Sequence, residues 1–229
     1  MKVIGINGSP RANGNTALAL GEMAREFAAI NAANPTDEPI EMEILHIGSR
    51  LIRGCMACGA CGRNKDERCA AGVSGASGGA SGDPVNEAIQ KMKAADAIVL
   101  GSPVHYAGIG GTMKSFCDRV FYTVASNGGL FAGKVGASVV AVRRTGGSAA
   151  WQGLNYYLAI SQMAIAGSSY WSVVHGAAPG EAAEDLEGLQ TVRNAAKNIA
   201  WMLRARAAAD NAAVPRPEYD RGARTNFIR

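Results

Sequence analysis

Short apolar runs alternate with helical segments along most of this chain, and this alternation limits its possible folds more than any other feature. Two of the runs, at residues 97–100 and 137–142, are almost continuously apolar, which is typical of strands buried on both faces of a sheet. The pattern predicts an α/β fold, a doubly wound five-stranded parallel sheet in the order 2-1-3-4-5 with helices on both faces. The predicted strands are residues 2–7, 40–47, 97–102, 136–142 and 170–175, and the predicted helices are residues 16–31, 85–94, 111–125, 149–164 and 182–208.

Length and composition indicate one domain followed by a short arm. The chain has 229 residues, of which 48% are hydrophobic and 18% are charged, and these are ordinary values for an α/β protein. We expect the domain to cover residues 1–210 and the arm to cover residues 211–229. The apolar end of the arm, Phe227 and Ile228, either reaches a neighbouring subunit or frays.

Charge and hydropathy exclude two classes of partner. The net charge of +4 is mild and no basic stripe carries interleaved aromatic residues, so we expect no nucleic-acid binding. No apolar stretch reaches the roughly 18 residues of a membrane span, so we expect no membrane insertion. The N-terminus leads directly into a strand, which predicts a cytoplasmic protein without a signal peptide.

The loop between the first strand and the first helix has the composition of a phosphate site. The N-terminus of the helix adds unpaired backbone N–H groups and the positive end of its dipole. The loop is neither a Walker A loop nor a Gly-x-Gly-x-x-Gly turn, and its hydroxyl-rich character suits a phosphomonoester such as flavin mononucleotide, FMN. The alternative is an ordinary strand–helix connection. The candidate ligands are Ser9, Arg11, Asn13, Asn15 and Thr16.

Two further loops leave the predicted carboxyl ends of strands and are expected at the same switch point. In the loop after the third strand, small residues allow the backbone to approach a planar ligand, and two rings can pack on it. In the loop after the fourth strand, glycines and arginines offer donors and positive charge to a reduced flavin. For each loop the alternative is a solvated surface. The candidates are Pro103, Val104, His105, Tyr106 and Gly108 in the first of these loops, and Arg144, Thr145, Gly146 and Gly147 in the second, with Arg144 preferred to Arg143 because it lies nearer the glycines.

Four cysteines, Cys55, Cys58, Cys61 and Cys69, lie in a loop of residues 54–69 after the second strand. Three cysteines at this tight spacing, with a fourth further along, can hold an iron–sulfur cluster. Four thiolates can also hold zinc, a Cys-x-x-Cys pair can carry out dithiol chemistry, and the thiols can simply be free. Cys117, in a predicted helix, is expected to be a core residue.

A low-complexity insertion follows the fourth cysteine directly. Residues 70–82 contain only Ala, Gly, Ser and Val, which predicts a flexible surface insertion over residues 70–83. A mobile tether at this point makes Cys69 the least secure of the four candidate ligands.

Taken together, these segments resemble the NAD(P)H-dependent FMN reductase family of the flavodoxin-like fold, and more narrowly its iron–sulfur flavoprotein branch. The resemblance covers nearly the whole chain, apart from the insertion, where relatives have a short link. It is carried by Gly8-Ser9-Pro10-Arg11-x-x-Gly14-Asn15-Thr16, the four cysteines, Gly101-Ser102-Pro103-Val104-His105-Tyr106, Met113-Lys114-Ser115-Phe116-Cys117-Asp118-Arg119 and Arg144-Thr145-Gly146-Gly147.

The resemblance implies a role for each segment. It implies that Ser9, Arg11, Asn15 and Thr16 hold the FMN phosphate, that residues 103–106 flank the isoalloxazine, and that Arg144, Gly146 and Gly147 meet its pyrimidine side. Lys114, Asp118 and Arg119 are interpreted as structural, in a helix packed under the flavin loop. A partner subunit often covers the flavin edge in this family, so we expect a homo-oligomer, either a dimer or a tetramer.

The predicted function is a flavoprotein oxidoreductase that binds FMN without a covalent bond. Hydride passes from NAD(P)H to FMN, and electrons then leave to an acceptor. No side chain is needed as an acid or a base, so we predict no catalytic residue in the protein itself. The alternatives are an electron carrier with FMN and a [4Fe-4S] cluster that serves a ferredoxin-like partner, and a non-enzymatic module that acts through protein contacts.

Overall fold

The computed structural model describes residues 1–72 and 82–220 together with residues 223, 225 and 227. Its strands are β1 (Lys2–Asn7), β2 (Glu41–His46), β3 (Ala97–His105), β4 (Gly108–Ile109), β5 (Val135–Val142), β6 (Ala164–Ile165) and β7 (Val173–His175). Its helices are α1 (Asn15–Ala33), α2 (Ala60–Asn64), α3 (Val85–Ala94), α4 (Gly111–Ser126), α5 (Gly147–Ile160) and α6 (Leu186–Asn211), with 3-10 turns at Ala70–Gly72 and Glu181–Ala183.

The sheet has the predicted strand order. Its main path runs β2-β1-β3-β5, with all these pairs parallel, and both β6 and β7 pair with β5 at the far edge. The fifth position is therefore filled by two short strands instead of one. Residues 166–172 leave the sheet between them because α6 binds that segment: Ser168 Oγ donates to the Thr191 carbonyl at 2.6 Å, and Asn198 Nδ2 donates to the Gly167 carbonyl at 2.9 Å.

Alternate residues of the central strands face two separate cores, as a sheet covered on both faces requires. On one face, Ile98 and Leu100 of β3 pack with α3, α4 and α5. On the other face, Ala97 and Val99 of the same strand pack with α1 and α6. Each face is sealed by helices, so ligands have access at the strand ends.

Most predicted boundaries agree with the structure to within a few residues, and the departures have local causes. Strand β3 continues to His105 because β4 pairs with it antiparallel. The helix predicted over residues 149–164 ends at Ile160 in the structure, and Ala164, the last residue of the predicted range, belongs to β6. Helix α6 begins at Leu186 because the Asp185 side chain caps it, accepting a hydrogen bond from the Gly188 N–H at 2.9 Å.

Most of the predicted insertion and six of the nineteen residues of the arm lie outside the described residues. In the part of the chain that the structure describes, no helix is both long and apolar enough to cross a bilayer.

Candidate functional site

The end of β3 and the loops after β1, β5 and β7 surround one cleft of about 210 Å³ at the carboxyl edge of the sheet. The first loop and the start of α1 together contribute the largest share of the lining, and the cations are Arg11 and Arg143. Among the described residues that line the cleft, none is acidic. The arrangement therefore favours an anionic ligand. The lining residues are Ser9, Pro10, Arg11, Gly14, Asn15, Thr16, Pro103, Val104, His105, Ala141, Arg143, Gly176 and Ala177.

The first loop is held in shape by its own polar groups. The Ser9 N–H donates to Asn7 Oδ1 at 3.1 Å, and the Arg11 N–H donates to Ser9 Oγ at 3.2 Å. Helix α1 has Gly14 as its N-cap and no side chain caps it. Because the N–H groups of a first helical turn have no partner within the helix, those of α1 remain for a ligand.

Thr16 carries an unpaired hydroxyl at this site. It is 1% exposed, and its Oγ1 is buried without a hydrogen-bond partner among the described residues. A buried hydroxyl without a partner costs about 1–3 kcal/mol, and native proteins leave few of them. Since Thr16 lines the cleft, its hydroxyl could donate a hydrogen bond to an anion bound there.

The Asn15 side chain, which the resemblance assigns to the phosphate, makes hydrogen bonds within the protein. Its Nδ2 donates to the Ala178 carbonyl at 2.9 Å, and its Oδ1 accepts from the N–H of Gly180 at 2.9 Å and of Ala182 at 3.3 Å. These bonds fold the segment after β7 over the phosphate loop. The contact is close, since a Cβ on Gly176 would lie 2.7 Å from Asn15 Nδ2.

This fourth loop was not predicted as part of the site. It brings Gly176 and Ala177 into the cleft lining. The available signal was the glycine directly after the fifth predicted strand, which carries no functional pattern by itself.

The second and third loops meet each other, as predicted from the strand order. Tyr106 and Ala107 both have positive φ angles, of 48° and 60°, in the two-residue turn between β3 and β4. Both φ signs fit a type I′ hairpin turn. Gly146 has a φ of 86°, and a Cβ on it would lie 2.6 Å from Ala107 Cα, so only glycine fits this contact. The turn leaves the Tyr106 side chain fully exposed beside the cleft.

The two arginines of the third loop are separated. Arg143 lines the cleft with the phosphate loop, whereas Arg144, Thr145, Gly146 and Gly147 line a neighbouring cavity of about 430 Å³. Three of the predicted residues, Asn13, Tyr106 and Gly108, line neither cavity. The neighbouring cavity also contains an exposed aromatic pair, Tyr170 and Trp171, whose ring centroids lie 4.5 Å apart.

Asp185, at the base of the neighbouring cavity, is stabilised as a carboxylate. Burial opposes its charge, but hydrogen bonds from the N–H groups of Gly188 and His175 outweigh burial and hold its pKa below the ordinary value. The carboxylate also caps α6, so it fixes the helix that forms one wall of this cavity.

All four predicted cysteines line a third, small cavity beside α4. Cys61 is buried, Cys69 is partly buried, and Cys55 and Cys58 are exposed. The cavity has a volume of about 20 Å³, roughly the room that one water molecule needs. Within residues 1–72 and 82–220, no three His, Cys, Asp or Glu side chains stand close enough together to hold a metal ion as they are placed. The donor set suits a thiolate-bound metal centre, and the exposed Cys55–Cys58 side would have to close onto it.

Cys69 is held firmly, in contrast to the expectation drawn from the insertion that follows it. Its N–H donates to Asn86 Oδ1 at 2.7 Å, and its carbonyl accepts from Asn86 Nδ2 at 3.1 Å. Its thiol accepts a hydrogen bond from Arg119 Nε at 3.3 Å. The chain is therefore fixed immediately before the insertion.

The three residues interpreted as structural on α4 have different surroundings. Lys114 and Asp118 form a salt bridge at 2.6 Å, and the Tyr157 hydroxyl donates to Asp118. Arg119 instead lies in the cysteine cavity. Burial raises the pKa of the Cys117 thiol, and this residue belongs to the core, as predicted.

Fold and site together define a flavodoxin-like protein with a cleft at the switch point, lined by the first loop and by two cations. A model of the NADPH-dependent FMN reductase family matches residues 1–178, and the chain belongs to this family. It is thus an FMN-dependent oxidoreductase, and the predicted fold and family are confirmed.

Individual relatives agree with this assignment. The chain is 34% identical over 211 residues to an iron-sulfur flavoprotein of Methanocaldococcus jannaschii, covering 89% of this chain and 98% of the relative. Its fold resembles a crystal structure of RosB with the bound intermediate 8-demethyl-8-formylriboflavin-5'-phosphate, with a TM-score of 0.63 and 13% identity over 100% of this chain and 96% of that one. It also resembles a flavodoxin from the domain Archaea, with a TM-score of 0.51 and 18% identity over 89% and 99% of the two chains.

Proposed function

We propose that the cleft holds FMN with its phosphate in the loop before α1, and that the protein uses it to oxidise NAD(P)H. The observation that carries this proposal is the unpaired, buried Thr16 hydroxyl beside the uncapped N-terminus of α1. When bound, FMN accepts hydride from the nicotinamide and passes the electrons to an acceptor.

The residues of the phosphate loop bind the anion. Thr16 Oγ1 and the first N–H groups of α1 donate hydrogen bonds to it, and Arg11 and Arg143 offset its charge. Asn15 acts indirectly, because its side chain holds the segment after β7 against the loop.

The second and third loops orient the ring system. Gly146 and Ala107 bring the two loops into close contact. Backbone donors at Gly146 and Gly147, with Arg144, would stabilise negative charge on the pyrimidine side. Tyr106 at the exposed turn would cover the ring from solvent. A hydride carries its own electron pair, so no side chain is assigned as an acid or a base.

Reconstitution tests this proposal. The purified protein is loaded with FMN or riboflavin, and NADPH or NADH is added anaerobically while the flavin absorption bands are followed. We expect tighter binding of FMN than of riboflavin, followed by bleaching on addition of the reduced nucleotide. Equal affinity for the two flavins would contradict the phosphate site. Bound FMN that neither nucleotide reduces would contradict the reductase activity.

We propose as a second function that the four cysteines hold an iron–sulfur cluster and that the protein carries electrons to a ferredoxin-like partner. Their placement around one cavity supports this, as does the similarity to the iron-sulfur flavoprotein of M. jannaschii. A cluster would supply one-electron transfer. Anaerobic purification with iron and sulfide analysis tests it, and Cys61→Ser is the informative variant. Zinc in place of iron, or metal-free thiols, would contradict it.

We also propose a cytoplasmic homo-oligomer. Exposed aromatic and aliphatic side chains flank the β6–β7 edge of the sheet, at Tyr156, Ile160, Tyr170 and Trp171. Unpaired strand edges with such side chains favour association. Sedimentation velocity distinguishes a monomer, which would contradict the proposal, from a dimer or a tetramer.

A further inference from the structure

A buried guanidinium group joins the two ends of the insertion to the cysteine cavity. The Arg119 side chain is 0% exposed, and its Nη1 lies 2.6 Å from Oδ2 of Asp83, which is 2% exposed. Its Nε donates to Cys69 Sγ at 3.3 Å. Cys69 directly precedes the insertion and Asp83 is its last residue, so one side chain fixes both ends.

Arg119 also has a donor that nothing in the described protein uses. Its Nη2 is buried without a hydrogen-bond partner, although Arg119 lines the cysteine cavity. An unpaired donor on a buried charged group costs more than one on a neutral group. The ion pair with Asp83 uses Nη1, so it does not provide an acceptor for Nη2.

The chemistry of the cavity supplies a suitable acceptor. Thiolates bound to a metal, and the inorganic sulfide of a cluster, are negatively charged sulfur atoms that accept hydrogen bonds. Residues behind the first ligands commonly orient them and tune the metal. The fork of an arginine can donate to an anchor and to a second acceptor at the same time.

We propose that Arg119 is a positioning residue for the cysteine centre: it holds Cys69 in place through Nε and offers Nη2–H to an anionic sulfur in the cavity. This inference rests on the second proposed function, the metal centre at the four cysteines. A purely structural role would need only the ion pair with Asp83, and this difference makes the inference testable.

Arg119→Lys separates the two roles. Lysine keeps a cation for Asp83, but it lacks the Nε–H that contacts Cys69 and the second Nη group. Arg119→Leu combined with Asp83→Leu removes the pair without leaving an unpaired buried charge. Arg68→Leu is the matched control, because Arg68 is exposed and lies next to Cys69 in the sequence.

Co²⁺ is the probe, since its sulfur-to-metal absorption bands report thiolate ligation without the flavin. The reduced, full-length protein is titrated anaerobically with Co²⁺, and thermal unfolding and FMN binding are measured on each variant. We expect Arg119→Lys and the double variant to bind Co²⁺ about 10- to 100-fold more weakly than the wild type. Arg68→Leu should match the wild type.

Each outcome decides the inference. Wild-type affinity in a folded Arg119→Lys variant would overturn it and leave the metal centre standing, because the ion pair alone would then suffice. If Arg119→Lys fails to fold, the double variant decides in the same way. Loss of affinity in Arg68→Leu to the same extent would also overturn it. Absence of thiolate bands in the wild type would overturn both the metal centre and the role of Arg119.

Discussion

Replacing Thr16 by valine should have opposite effects on the empty and the FMN-loaded protein. Thr16 Oγ1 is buried without a partner, and removing such a group relieves a penalty of about 1–3 kcal/mol. Valine has nearly the same shape and keeps the branched side chain. We therefore expect the free energy of unfolding of the flavin-free protein to rise by about 1 kcal/mol.

The same substitution should weaken FMN binding. A hydrogen bond to a charged acceptor contributes about 1.5–3 kcal/mol, which corresponds to an increase in Kd of roughly 10- to 100-fold. Riboflavin has no phosphate, so its Kd should stay the same. Loss confined to FMN assigns the hydroxyl to the phosphate instead of the ring.

Two measurements check this prediction. Urea unfolding of the flavin-free protein gives the stability, and quenching of flavin fluorescence gives both Kd values. Thr16→Ser is the matched control, because it keeps the hydroxyl and should keep the preference for FMN. A valine variant that is less stable and binds FMN as tightly as the wild type would refute the reasoning from the unpaired hydroxyl.

Three further predictions follow from the geometry. The lowered pKa of Asp185 means that its carboxylate stabilises the fold fully above the unfolded-state pKa of about 4 and loses this contribution as the pH falls through the lower folded-state pKa. Asp185→Ala should thus lower the free energy of unfolding by about 1 kcal/mol near neutral pH. In urea unfolding, this difference from the wild type should shrink as the pH falls, and a difference independent of pH would contradict the reasoning. Arg143→Ala should weaken FMN binding about two- to fivefold with little effect on riboflavin binding. Arg144→Ala should affect the binding of the two flavins equally. The reverse pattern in flavin titrations would place Arg144 at the phosphate. Truncation after Ala213 should lower the assembly state in sedimentation velocity, and an unchanged profile would remove the arm from the interface.

The elements and the cleft were predictable because both depend on local patterns. Continuous apolar runs predicted β3 and β5, and the switch-point rule then brought together the loops after the first, third and fourth predicted strands before any contact was known. In the structure, two of these loops meet where Gly146 contacts Ala107. The short strand β6 was not predicted, because two residues are too few to show the alternation of apolar and polar residues that indicates a strand.

The use of individual side chains could not be predicted in the same way, because it depends on partners far along the chain. Asn15 has the type and position of a phosphate ligand, yet its amide bonds to residues 178, 180 and 182. Nothing near Asn15 in the sequence indicates those partners. Thr16, its neighbour, is a better candidate only because no such partner reaches its hydroxyl.

Helix α4 explains how one scaffold can position both proposed centres. Near its start, Met113 lies against the phosphate loop, where a Cβ on Gly8 would come within 2.8 Å of its side chain. Six residues later Arg119 lies in the cysteine cavity, which at 1.5 Å per residue is about 9 Å along the helix axis. The segment after β2 ties the same two regions together, because His46 Nε2 lies 2.8 Å from the Ser9 carbonyl oxygen and precedes the cysteine loop. A shift of either region would therefore strain a packed helix and a hydrogen-bonded loop. The fold thus holds the cleft and the cysteines near each other, as electron transfer between the two proposed centres would require.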